Sequence, residues 1–137
     1  MVRSVGASIY LFGAREDKEA CVQIEAAVNG HVINLCGATN LPALGGYLEA
    51  MDLVITVDSG PMHMAAATGT PVIAVFGATD ALRTGPYGDH TVITRSDLTC
   101  RPCLSRTCRL PSRDIRCLTG LNVNPVVQAA ETILAGS

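Results

Sequence analysis

Short apolar runs closed by glycine alternate along this chain with stretches of helical period. Residues 8–12, Ser-Ile-Tyr-Leu-Phe before Gly13, read as a buried strand. Over residues 14–28 the period becomes helical: Ala20, Ile24, Ala27 and Val28 recur at three- and four-residue spacing, and charged residues 15–19 crowd the opening turns. A second strand is predicted over 31–35, ended by Gly37. Leu41, Leu44, Leu48 and Met51 mark a second amphipathic helix, entered through a cap residue and the early Pro42. Residues 53–57 form a third strand, and Asp58-Ser59-Gly60-Pro61 leads into a helix over 62–68 that Gly69 ends. A fourth strand over 72–76, a short fifth over 91–94 and a last helix over 123–134, with Pro125 in its first turn, complete the pattern. Strands apolar throughout and alternating with helices form a parallel sheet covered on both faces. The predicted fold class is therefore α/β, a Rossmann-like open parallel sheet with helices on both faces.

Composition narrows this picture. A chain of 137 residues, 48% hydrophobic and 16% charged, can bury a core and is predicted to form one domain over residues 1–137. No run approaches the roughly 18 consecutive apolar residues of a membrane span, and residues 1–6 lack the layout of a signal peptide. The net charge of −2 disfavours broad electrostatic binding of nucleic acid. With Trp absent and five Phe and Tyr together, the core must be aliphatic and any base-stacking platform thin. A cytoplasmic, soluble protein is the expectation.

In open α/β sheets ligands collect at the carboxyl ends of the strands. Three loops fall there: residues 13–16, 57–63 and 77–84. The middle one is the richest, because a helix N-terminus offers unpaired N–H groups and partial positive charge to a phosphate. Gly60 allows close approach to the backbone, and Pro61 sits where its missing N–H has no helical partner anyway. His63, in the first turn, is placed to donate to a phosphate oxygen or a sugar hydroxyl, and Asp58 to accept from sugar hydroxyls. The plainer alternative is that Asp58 or Ser59 caps the helix while His63 packs or faces water. Hydrolase chemistry is disfavoured, since no Gly-x-Ser-x-Gly elbow occurs and neighbouring residues cannot form a nucleophile–base relay. Dinucleotide and Walker fingerprints are also absent.

Residues 95–118 form a cysteine- and arginine-rich loop. Cys100, Cys103, Cys108 and Cys117 include one Cys-x2-Cys pair compatible with zinc or an iron–sulfur cluster, although the second half is irregular. Reduced thiols are the leading expectation for the loop, with a disulfide disfavoured in the cytosol. Cys21 and Cys36 are expected in the core, in a helix and a strand. Arg101, Arg106, Arg109, Arg113 and Arg116 make the loop locally basic in an acidic chain. They either meet an anionic oligosaccharide or its phosphates, or remain solvated and pair with Asp97 and Asp114, the second being favoured.

Taken together, residues 52–67 and 69–80 resemble the signature of glycosyltransferase family 9, the ADP-heptose:lipopolysaccharide heptosyltransferases. The likeness continues through Thr84-Gly85-Pro86-Tyr87-Gly88, and the cysteine loop resembles the heptosyltransferase II branch. What the resemblance implies is the C-terminal, donor-binding half of a GT-B enzyme that transfers heptose with inversion and without a metal or other cofactor. The implied partners are ADP-heptose as donor and the lipopolysaccharide core as acceptor, with no nucleic acid and at most peripheral membrane contact. By that likeness Asp58 binds heptose hydroxyls, Ser59, Gly60 and Pro61 line the diphosphate, and His63 supports phosphate or sugar. Thr39 falls where the family's loop touches adenine, and Glu16, or Asp17 if the alignment slips, holds the ribose. The family's catalytic base belongs to an N-terminal acceptor domain that this chain lacks, as it lacks the donor domain's first strand with its phosphate-contacting Thr and Lys. Lys18, in the first helix, does not replace that lysine. No catalytic residue is therefore assigned here, and the chain alone is expected to be an inactive, truncated unit. The alternatives are a non-catalytic sugar-nucleotide or metal-knuckle module, and a GT-B fragment using another nucleotide sugar.

Overall fold

The computed structural model describes residues 6–28 and 30–136. Met1–Val5, on which most of the signal-peptide reading rests, lie outside them. The chain divides into two compact units, Met1–Leu44 and Gly45–Ser137, each taken here by itself.

In the first unit, strand β1 (Ile9–Leu11) leads through a 3-10 turn (Arg15–Asp17) into helix α1 (Lys18–Ala27), and the chain returns as β2 (Val32–Asn34). The strands pair in parallel, Ile9 opposite Val32 and Leu11 opposite Asn34. Cys21 and Cys36 are buried as expected, but Cys36 lies beyond β2 in the following turn. The predicted stripe on α1 is less buried than its period suggests, and Ile24 remains 46% exposed. Two short strands present few side chains for a helix to cover, so amphipathic spacing does not here ensure burial. Asn40 Oδ1 accepts from the Ala43 N–H at 2.9 Å and caps helix α2 (Leu41–Glu49), whose C-terminal part belongs to the second unit.

The second unit holds a three-stranded parallel ladder, β3 (Val54–Val57), β4 (Val72–Phe76) and β5 (His90–Thr94), with β4 central. Between β3 and β4 runs helix α3 (Gly60–Ala67), starting two residues earlier than its period predicts because Gly60 and Pro61 already occupy its first turn. Helix α4 (Ala81–Thr84) interrupts the loop after β4, and the Asp80 side chain caps it through the Leu82 N–H at 3.0 Å. Helices α5 (Arg116–Thr119) and α6 (Asn124–Ala135) close the chain. Val72, Ile73, Ala74 and Phe76 are fully buried, as are Met62 and Ala65 of α3. Each large apolar side chain so buried contributes about 1.5–3 kcal/mol.

One polar group is enclosed with them. Thr70, 5% exposed, donates to the Leu48 carbonyl at 2.8 Å and exchanges a 3.2 Å hydrogen bond with Thr68. It joins the end of α2 to the turn that feeds β4.

The loop over 95–118 is more organised than a solvated loop. Arg101 donates through Nε to the Gly77 carbonyl, through Nη2 to Thr79 at 3.4 Å and through Nη1 to Arg95 at 3.3 Å. The Leu104 N–H adds a bond to the Ala78 carbonyl at 3.0 Å, so the loop is pinned to the carboxyl end of β4. Arg95 grips Asp97 with two bonds of 2.7 and 2.6 Å and also reaches the Gly120 carbonyl. Arg116 pairs with Asp114 at 3.1 Å. The expected carboxylates are thus used, but Asp97 is taken by Arg95 from outside the set of five, and Arg101 is bound to carbonyls instead.

Two outcomes follow from this packing. Thr70→Val removes the donor from a buried carbonyl without changing side-chain size, so stability should fall by about 1–3 kcal/mol in urea unfolding. The hydrogen bonds from Arg95 hold the Asp97 carboxyl down at about 2, with partial desolvation opposing them. The folded value lies below the unfolded one, so the pair's contribution is complete above the usual carboxylate range and is lost as pH falls towards 2. An NMR titration should place the Asp97 midpoint near 2, and Arg95→Gln should raise it towards the ordinary value.

Candidate functional site

Strand β3 ends at Val57, and the next residues turn into α3 at the carboxyl edge of the parallel ladder. Ser59 holds the N-cap position in extended geometry, yet no side chain caps the helix. Its hydroxyl turns back to the Val57 carbonyl at 3.0 Å and to Thr56 Oγ1 at 3.3 Å. Asp58 does not cap either: its Oδ2 accepts from Thr84 Oγ1 at 3.1 Å. Of the two readings of this turn, capping is therefore not what these side chains do. The first N–H groups of α3 are left without side-chain acceptors, at the end where the helix dipole is positive.

Met62 and Ala65, both fully buried, fix α3 against the ladder, while His63 on the opposite side is exposed. His63 has no hydrogen-bond partner among the described residues. A Cβ placed on Gly60 would meet nothing within 4 Å, so open space lies directly over the start of the helix. Pro61 is exposed beside it.

Thr84 joins this edge although its local sequence gives it no role there. It ends α4, donates also to the Asp80 carbonyl at 3.2 Å, and ties the loop after β4 to the loop after β3. The following Gly85 has no room for a side chain, since a Cβ would run into the Ala81 carbonyl oxygen. The Thr84-Gly85-Pro86 string was visible as a motif, but its link to Asp58 spans 26 positions that no local pattern reports. Leu82 (97% exposed) and Tyr87 (87% exposed) stand on the same loop without packing partners. This edge thus combines open amide donors, a carboxylate oriented by a hydroxyl, and an exposed imidazole. Such a set can hold an oxyanion beside a hydroxyl-bearing group.

The remaining predicted residues lie in the first unit. Glu16 is exposed within the 3-10 turn, whereas Asp17 is engaged, its Oδ2 accepting from the Ala14 N–H at 2.9 Å. Only Glu16 of this pair keeps its carboxylate unengaged among the described residues. Cys36 Sγ donates to the Ala14 carbonyl at 3.1 Å, which holds the same turn. Burial, helped by hydrogen bonding to Cys21, pushes the Cys36 thiol up to about 11, so it stays protonated and can serve as that donor. Gly13 is needed beside it: a Cβ there would lie 2.9 Å from both Asp17 Cβ and Cys36 Sγ. Thr39 is half-buried in the turn before α2.

All six cysteines are free thiols, and Cys100 is the exposed member of the C-terminal four. Among the described residues no three His, Cys, Asp or Glu side chains gather into a metal-holding group. Cys100, Cys103, Cys108 and Cys117 thus contribute to no such group.

Comparison with known proteins places the chain in a family. The family model for glycosyltransferase family 9 (heptosyltransferase) matches residues 1–113. Lipooligosaccharide heptosyltransferase 2 of Campylobacter jejuni is 34% identical over 134 residues, covering 94% of this chain and 41% of that enzyme. The solved structure of ADP-heptose lps heptosyltransferase II from E. coli superposes with a TM-score of 0.78 at 26% identity, over 98% of this chain and 38% of its own. E. coli heptosyltransferase WaaC, solved with ADP, gives 0.66 at 25% identity, over 96% and 36%. This chain therefore spans about two fifths of the length of these relatives. The parallel α/β units and the family match lead to one conclusion: the chain belongs to glycosyltransferase family 9, the heptosyltransferases.

Proposed function

We propose that this chain is the donor-binding part of a heptosyltransferase of lipopolysaccharide core biosynthesis, and that its ligand is ADP-heptose. The observation that carries the reading is the uncapped start of α3, with Asp58 drawn aside to Thr84 beside it. Relatives named for heptose transfer and a structural neighbour solved with ADP support the same ligand. The Ser59 and Gly60 N–H groups at the start of α3 donate to the diphosphate with Pro61 lining it, Asp58 accepts from heptose hydroxyls, and His63 donates to phosphate or sugar. Glu16 holds the ribose and Thr39 meets the adenine.

The reaction is an inverting displacement that needs no metal. An acceptor hydroxyl of the lipopolysaccharide core attacks the anomeric carbon, the bond to the diphosphate oxygen breaks, and ADP departs with the electron pair. The charge that grows on the departing oxygen is met by the α3 amides, oriented before the reaction begins. The acceptor's proton goes to a base outside this chain, to which no catalytic residue is assigned, so binding without transfer is the expected behaviour of this chain alone. Six free thiols suit a reducing cytoplasm, and no helix among the described residues is long and apolar enough to cross a membrane.

Calorimetric titration with ADP and ADP-heptose tests the reading. Asp58→Ala should weaken ADP-heptose about tenfold or more while ADP changes little, because the lost acceptor faces the sugar. His63→Ala should weaken at least the sugar nucleotide, and Glu16→Gln should weaken both ligands through the ribose. A folded chain that binds neither ligand, or Asp58 and His63 variants that bind as well as wild type, overturns it.

A further inference from the structure

The arginines over 95–118 fall into two classes. Arg95, Arg101 and Arg116 are occupied by carboxylates or carbonyls. Arg106, Arg109 and Arg113 are exposed, and their guanidiniums have no hydrogen-bond or ion-pair partner among the described residues. Two of these, Arg106 and Arg113, line a groove of about 440 Å³ together with Thr107, Cys108 and Ile115. That volume lies in the range of small-ligand sites, about 300–1,000 Å³.

The groove is charged and unneutralised. Between Leu98 and Gly120 the chain carries five arginines against one acidic residue, Asp114, and both oxygens of Asp114 are engaged, by Arg116 at 3.1 Å and Thr119 at 3.4 Å. Arg113 also adopts φ +50°, a left-handed conformation unusual for a side chain of this size. The turn is closed by the Arg113 N–H to the Leu110 carbonyl at 2.8 Å, at a residue that lines the groove. Strain of this kind persists where the surrounding structure selects it, and Arg113 shares the groove lining with Arg106. Two planar forks suit the oxygens of a phosphomonoester, while Ile115, 46% exposed, offers an apolar surface to a sugar ring.

We infer that the Arg106–Arg113 groove binds a phosphorylated sugar, the phosphoryl group on the two guanidiniums and the ring against Ile115. The oxyanion chemistry stands on these residues alone. Its assignment to a phosphorylated sugar of the acceptor oligosaccharide rests on the heptosyltransferase reading above.

Titrating the full chain with glucose 6-phosphate, and following the arginine Nε–H signals by NMR, tests the site. Arg106 and Arg113 should shift and saturate while Arg95 and Arg101 stay still, and Arg106→Gln with Arg113→Gln should weaken binding about tenfold or more. Arg116→Gln should leave the affinity unchanged. Asp58→Ala should also leave it unchanged, so the groove and the donor site fail or hold separately. Unsaturable shifts across all arginines, equal response to unphosphorylated glucose, or undiminished binding by the double variant would overturn the proposal. Inorganic phosphate binding as tightly as the sugar phosphate would overturn its sugar component.

Discussion

Strand β4 has almost no solvated surface: Val72, Ile73, Ala74 and Phe76 are fully buried, and the strand is hydrogen-bonded along both edges. Alternate residues point to opposite faces, so burial of successive positions requires cover on both. Met62 and Ala65 of α3 supply part of it, and α6, with Ala130 fully buried, lies against β4 and β5. The parallel register then fixes what happens at the strand ends. Val57 lies opposite Val75 and Phe76 opposite Thr94, so the three strands release their loops at one edge. Asp58, Thr84, Gly77 and Arg101 meet there as a consequence of how β4 is buried.

At that edge the distribution of hydrogen bonds matters more than the residue types. A carboxylate capping α3 would satisfy its N–H groups and repel an incoming phosphate. Thr84 takes Asp58 Oδ2, and Ser59 bonds to Val57, so neither side chain closes the helix end. In the proposed donor site the same carboxylate lies beside the diphosphate and receives sugar hydroxyls. Under that proposal, Thr84 keeps the carboxylate from competing with the phosphate for the same N–H groups.

Much of this was readable from the sequence, and the limits have identifiable causes. The fourth strand matched its apolar run residue for residue because its burial is complete and needs no partner pattern to reveal it. The start of α3 was signalled by Asp58-Ser59-Gly60-Pro61, since cap residues and early proline are local chemistry. The capping role itself was not decidable locally, because the competing acceptor is Thr84, 26 positions away. The stripe on α1 failed to predict burial because spacing describes the helix and not the extent of the sheet beneath it. What distinguishes Glu16 from Asp17 is a contact across the turn: the Ala14 N–H donates to Asp17 Oδ2, while the Glu16 carboxylate is unengaged among the described residues.

The arginine-rich segment shows why charge counts alone mislead. A basic run in an acidic chain suggests surface pairing, yet Arg101 binds three backbone carbonyls and shapes the end of β4. That is a task for a planar group with several fixed donors, which a lysine would not perform equally. The guanidiniums of Arg106 and Arg113 take no part in holding the segment, which Leu104, Arg101 and the Asp114–Arg116 pair hold. Fold stability gives no reason to leave two guanidiniums unneutralised around one groove, with one of them in a left-handed conformation. Repulsion between like charges there is tolerable in water and becomes attraction once an anion sits between them. The segment is thus divided, three arginines bonded to carboxylates or carbonyls and the guanidiniums of the others left without partners among the described residues.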